Sequence, residues 1–251
     1  MIKFFRKKRQ NLLSKGKIGK YFRYAIGEII LVVLGILIAL QINNWNQNEQ
    51  LKKEELKTLK SLKESIKINS IELDYILNAQ ILRNKSLREV LFIEVSSYQL
   101  PHLDSLITTN VKNHTFDPST GIYNSMINSG KIELISNDSL KNRISKLYDK
   151  VKDYQESEDE ITQYTKEHLE RHFIENYSID PKVLAKLKER TDEQKKRDKA
   201  FYTKTFNSQK VKNMYILLLN KMGEVISKGQ SLELEYQNLV TDLENEIKLR
   251  K

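Results

Sequence analysis

YAIGEIILVVLGILIALQI, residues 24–42, decides the architecture of this chain, because twelve consecutive positions, 29–40, carry no polar side chain. At 1.5 Å rise per residue, a helix of this stretch reaches about 28 Å, close to the roughly 30 Å of hydrocarbon that a single span must cross. A buried helix of a soluble core ordinarily keeps a polar stripe, and this one is apolar around its whole circumference. The stretch predicts a transmembrane helix.

Its flanks predict the orientation. Residues 1–23 hold nine basic side chains, among them Lys3, Arg6, Lys7, Lys8 and Arg9, and no acid. The positive-inside rule keeps such an end in the cytoplasm. Nine of the 43 basic residues lie in this tail and only Glu28 of the 33 acids precedes residue 43, so residues 43–251 carry a net charge of only +2. The overall charge of +10 is therefore concentrated beside a bilayer, where each cation gains about 1 kcal/mol from anionic lipid, and no nucleic-acid partner is expected. A cleaved signal peptide is the competing reading. The best available cleavage site, Ala39-Leu40-Gln41, is poor, and Asn43-Asn44-Trp45-Asn46 reads as an interfacial exit with Trp45 at headgroup level. The expectation is an uncleaved signal anchor.

Two features of the span bear on function. Glu28 is ionisable at membrane depth and calls for snorkelling to the headgroups or for a partner. Gly27, Gly35 and Ala39 fall on one face, where small side chains let another helix approach. Lipid is the first expected partner, and a protein partner or a second copy of the chain the next.

Beyond the membrane the pattern is helical throughout. Residues 48–94 contain neither glycine nor proline and place Leu59, Leu62, Ile66, Leu73, Ile76, Leu87 and Val90 at three-four spacing, which predicts a long helix continuing out of the span. Asn69, Gln80 and Arg83 share that seam, while Ile68, Ile71, Tyr75 and Leu82 form a second stripe that predicts a second neighbour. Residues 96–118 form a turning region with room for a short helix at 103–109. Asp117-Pro118 then predicts a capped helix start, Gly130 a helix end, and Ser136-Asn137-Asp138 the cap of another long helix through Leu140, Ile144, Leu147, Val151, Tyr154 and Ile161. Residues 188–199, KERTDEQKKRDK, read as a solvated helix face or frayed turn. The last segment steps by three and four without a miss through Tyr215, Leu218, Met222, Val225, Gly229, Leu232, Tyr236, Leu239 and Leu243. The predicted fold is all-α: one N-terminal transmembrane helix continuing into an elongated antiparallel, coiled-coil-like helical bundle. Its expected domains are a basic tail at 1–23, the anchor at 24–45 and an exported helical domain at 46–251.

The sequence offers little chemistry. It lacks cysteine, which excludes disulfides and thiolate ligands. His168 and His172 stand at i, i+4, a spacing that can hold a metal, and they motivate an alternative reading as a ligand sensor or metal-dependent hydrolase. The acid in His168-Leu169-Glu170-Arg171-His172 falls one residue later than H-E-x-x-H requires, so a solvated helix surface is the simpler account. His102 and His114 read as polar loop residues. Phosphate loops, nucleophile elbows and dinucleotide fingerprints are missing, and the chain is expected to be neither an enzyme nor a cofactor binder.

The opening MIKFFRKKRQ and the segment YAIGEIILVVLGILIALQINNWN resemble a family of bacterial membrane proteins catalogued as domain of unknown function 6090. The likeness rests on Ala25 to Glu28, on Gly35 to Leu40 and on Trp45-Asn46. A second likeness is GIYNSMINSGKIELISNDSLKNRISKLYD, residues 121–149. The resemblance implies a single-pass inner-membrane protein facing the periplasm and makes Glu28 part of a motif. It transfers no activity and no site residues.

Overall fold

A computed structural model describes residues 18–177 and 179–250, and the chain divides into two compact units, residues 1–56 and 57–251. Of the basic tail, residues 1–17 lie outside the described residues. Among the described residues there is no strand.

Helix α1 (Ile18–Phe92) is uninterrupted for 75 residues, as expected of a stretch with no proline and with glycine only at 19, 27 and 35. In the first unit its apolar residues 29–42 are exposed throughout, and the most apolar 18-residue window has a mean hydropathy of 2.6 with none of it buried. This is one helix, near the N-terminus, long and apolar enough to cross a membrane.

In the second unit the remainder of α1 contributes a buried seam of Leu59, Leu62, Ile66, Leu73, Ile76, Leu77, Leu87 and Val90. A 3₁₀ turn (Val95–Ser97) leads to α2 (Leu100–Val111), which carries Pro101 in its first turn, where the missing N–H costs nothing. After an extended stretch come α3 (Gly121–Asn128) and a 3₁₀ turn (Lys131–Leu134) that starts from Gly130 at φ 69°, a left-handed conformation suited to glycine. That turn buries Ile132, and Ile135 follows it into the core.

Helix α4 (Asp138–Tyr164) is capped as predicted: the Asn137 side chain accepts the Leu140 N–H at 3.1 Å. It runs through a π turn (Thr165–Glu170) into α5 (Arg171–Asn176). Then follow α6 (Pro181–Leu184), α7 (Asp192–Asn207) with a Thr191/Gln194 capping box, and α8 (Gln209–Leu249). The α8 seam is buried at Val211, Tyr215, Leu218, Met222, Val225, Gly229, Leu232, Tyr236, Leu239, Leu243 and Ile247. Each large apolar side chain so buried contributes about 1.5–3 kcal/mol. At Gly229 the helices approach closely: a β-carbon there would lie 2.4 Å from Leu77 Cδ2 and 2.9 Å from Tyr154 Cε2. Helices α1, α4 and α8 therefore meet at this glycine.

Three expectations are corrected. The helix predicted to start at Pro118 starts at Gly121 instead: the Ser119 C=O, which would have to join the first turn of that ladder, accepts from the Asn69 amide (3.1 Å), whose oxygen takes the Ser119 N–H (2.9 Å). The stripe of Ile68, Ile71, Tyr75 and Leu82 is exposed, with no second neighbour covering it among the described residues. The charged stretch 188–199 is not wholly solvated, since Arg190 and Asp198 pair with each other at 2.9 Å, with the Asp198 side chain only 2% exposed.

Candidate functional site

The second unit holds a buried polar core built from α1. Asn69 and Gln80 are eleven residues apart and Arg83 lies three beyond, so all three share one helix face, the same face as the apolar seam. All three are buried. Each reaches across to the stretch that links α2 to α3. Asn69 clasps Ser119 as described. Gln80 Nε2 donates to the His114 carbonyl (3.1 Å) and to Glu158 Oε1 (2.7 Å), while its Oε1 accepts from the Tyr154 hydroxyl at 3.0 Å.

Glu158 comes from α4 and accepts the Phe116 N–H at 3.0 Å. Burial pushes its carboxyl up to about 7, against the hydrogen bonds from Phe116, Tyr154 and Gln80, which favour the charged form. The Tyr154 hydroxyl is likewise raised, first by burial and then by the neighbouring Glu158.

Among the described residues Arg83 is the largest fully buried side chain, and no carboxylate there hydrogen-bonds its guanidinium. Its Nε and Nη2 donate to the Asn110 carbonyl (3.1 and 2.7 Å), Nη1 to Asn113 Oδ1 (2.8 Å), and Nη2 also to Thr165 Oγ1 (2.8 Å). Asn110 lies in the last turn of α2, whose carbonyls have no partner within the helix and form the negative end of its dipole. The cation is thus a C-terminal cap delivered by another helix. Thr165 opens the π turn, so the widened turn coincides with the insertion of Arg83. Burial lowers the guanidinium to about 10, which leaves it charged at neutral pH. The Asn110 amide and the Tyr215 hydroxyl lie beside each other, both buried, and burial raises the hydroxyl.

A second cluster fastens α2 to α7. Arg190 forks onto both oxygens of Asp104 (2.7 and 2.8 Å) and gives its Nε to Asp198 (2.9 Å). The Tyr202 hydroxyl donates to Asp104 and contacts the Tyr177 hydroxyl at 3.1 Å. The carboxylates hold Arg190 above its ordinary range despite burial.

Both clusters turn their donors and acceptors toward backbone and one another.

The residues singled out from sequence are placed as follows. Gly27, Gly35 and Ala39 are exposed along α1, with open space around both glycines, and Trp45 is exposed beyond them. Glu28 is half-buried on the same helix. His168 is exposed in the π turn with its ring 4.6 Å from that of Tyr164. His172 lies against Phe173 with ring centroids 5.6 Å apart, and burial lowers its imidazole. Among the described residues no three histidine or acidic side chains converge to hold a metal ion. His102 stands in the first turn of α2, paired with Glu89 on α1, and not in a loop. His114 does lie in the extended stretch.

Sequence reading missed Glu158, Asp104, Arg190 and Asp198. The signal for Glu158 was present. The α4 seam steps 147, 151, 154 and then 161, and the acid sits at the position the period skips. Asp198 stands four residues before Tyr202 on the buried face of α7 in the same way.

A protein-family model described as Family of unknown function (DUF6090) matches residues 28–167. No curated protein and no solved structure matches the chain.

Proposed function

Because the chain belongs to this family of unknown function, whose match begins inside the apolar span and covers more than half of the residues, we propose that it is a single-pass membrane protein of the bacterial envelope that works by contact and not by catalysis. The N-terminus stays in the cytoplasm, the span sits in the inner membrane, and residues 46–251 face the periplasm. There the helical domain binds another envelope protein or a second copy of itself.

The observation that carries the reading is the exposure of every residue of 29–40, an uninterrupted apolar surface that water does not tolerate and lipid does. The nine cations before it support the orientation. Ile68, Ile71, Tyr75 and Leu82 support a contact role, being exposed apolar side chains on one helix face.

The test is fractionation and protease treatment. The full chain should stay with membranes through carbonate washing and dissolve only in detergent, and protease added to intact spheroplasts should digest residues 46–251. Full-length protein free in solution after detergent-free lysis, or shielded from protease in spheroplasts, overturns the proposal. For the contact itself, Gly35→Leu and Glu28→Gln should each lower crosslinking yield in native membranes.

A further inference from the structure

Helix α6 ends in a turn whose chemistry is unusual for its shape. The Lys186 N–H bonds the Val183 carbonyl at 3.0 Å and the Leu187 N–H reaches the Lys182 carbonyl at 2.8 Å, the paired bonds of a Schellman cap. That motif puts its first residue beyond the helix in the left-handed conformation, where glycine is usual. Here the position is Lys186, at φ 57°, and among the described residues it is the non-glycine residue with positive φ. A β-carbon there is strained, so folding alone gives no reason for a lysine, and such strain gathers at ligand clamps.

Beside this turn lies a cavity of about 520 Å³, within the roughly 300–1,000 Å³ typical of small-molecule sites. Pro101 of α2 and Val183 and Leu187 of the α6 turn give it apolar walls, and Lys186, Lys188 and Lys195 stand at its rim with one acid, Glu189. Arg190 also lines it, but its charge is met by Asp104 and Asp198, so it pins the rim in place. The three ammonium groups are free to be recruited. Lys188 is 3.6 Å from Asp180 and Lys195 pairs with a solvent-exposed Asp192, contacts of little energetic weight, and the Lys186 side chain makes no ion pair among the described residues.

We propose that this cavity binds an amphipathic anion, a phosphate or carboxylate held by Lys186, Lys188 and Lys195 with its short apolar body against Pro101, Val183 and Leu187. The site stands whether or not residues 24–42 cross a bilayer, and its test is separate from fractionation.

The test is lysine footprinting of the full chain in zwitterionic lipid discs by amine acylation and mass spectrometry, with octyl phosphate as probe and octanol and inorganic phosphate as controls. Octyl phosphate should slow labelling of Lys186, Lys188 and Lys195 at least fivefold and leave Lys166 and Lys204 unchanged. Neither control should do so at equal concentration. Lys186→Gly should abolish the protection of Lys188 and Lys195 while its melting midpoint equals or exceeds that of the natural chain, because glycine relieves the turn. Protection in anionic-lipid discs without added probe assigns the anion to a lipid, and protection only with octyl phosphate assigns it to a soluble amphiphile. No protection, equal protection by either control, uniform protection of all lysines, or protection retained in Lys186→Gly overturns the proposal.

Discussion

Replacing Glu158 by glutamine should remove a pH-dependent loss of stability that the natural chain suffers between mildly acidic and neutral pH. The folded carboxyl titrates near 7 while the ordinary value is 4.5. Each pKa unit is worth about 1.4 kcal/mol, so the shift amounts to about 3 kcal/mol. The folded-state value is raised, so this stability is fully present below pH 4.5, where the carboxyl is neutral whether the chain is folded or not. It drains away as the unfolded chain ionises and the folded one does not, and it is gone above pH 7. The assay is urea unfolding of the natural chain and Glu158→Gln, followed by near-ultraviolet circular dichroism of the buried tyrosines at several pH values in detergent. Subtracting one curve from the other cancels every group the two share. The stability of Glu158→Gln relative to the natural chain should climb by about 3 kcal/mol from pH 4.5 to 7.5. A flat difference would refute the burial argument. A falling one would mean that the Phe116 N–H and the Gln80 amide, which both donate to this carboxylate, outweigh desolvation.

Other outcomes follow from named contacts. Gly229→Ala must push a methyl to within 2.4 Å of Leu77 and should cost about 1–3 kcal/mol in denaturant melts. Gly223→Ala on the same helix, with nothing within 4 Å, should instead stabilise by up to about 1 kcal/mol. Arg83→Met orphans the Asn110 carbonyl, Asn113 and Thr165 and should cost about 3 kcal/mol or more by the same measurement, with faster hydrogen exchange at the end of α2. Lys186→Gly should raise the unfolding free energy by about 1 kcal/mol, read from thermal melts.

What could be read from sequence followed the strength of periodic signals. The α8 seam was legible residue by residue because burial recurs at every three-four step from Tyr215 to Leu243, and the caps at Asn137 and Gly130 were legible because only a few residue types serve there. Asp117-Pro118 carries the same local signature and misled, because a contact fifty residues away in sequence, Asn69 on Ser119, outbids local preference. Tertiary partners of that kind leave no local trace. The same holds for Arg190, which sits in a stretch so charged that no composition rule separates it from its solvated neighbours, yet Asp104, eighty-six residues earlier, draws it inward. The exposed stripe of Ile68, Ile71, Tyr75 and Leu82 shows the converse limit: apolar spacing tells which side chains share a face, and not whether this chain supplies the neighbour that covers it.

Asn69, Gln80 and Arg83 look like polar interruptions of an apolar seam until their partners are compared. None bonds another of the three, and each reaches the backbone of residues 110–119: Asn69 both groups of Ser119, Gln80 the His114 carbonyl, Arg83 the Asn110 carbonyl. An extended stretch and a helix end threaded into a helical bundle present N–H and C=O groups that no helical ladder satisfies, and burying them unpaired would cost about 1–3 kcal/mol each. The polar residues of the α1 seam are the ones that meet that stretch. Arg83 and Glu158 are accordingly the two ends of one requirement, a cation for the orphan carbonyl of α2 and a carboxyl acceptor for the orphan N–H of Phe116. The residues that answer this requirement, Asn69 through Thr165, all fall within the family match at 28–167, while α8, which supplies apolar surface alone along most of its seam, falls outside it. The match thus takes in α1 from residue 28, the irregular stretch it clasps and α4, and α8 packs against α1 and α4 from outside it.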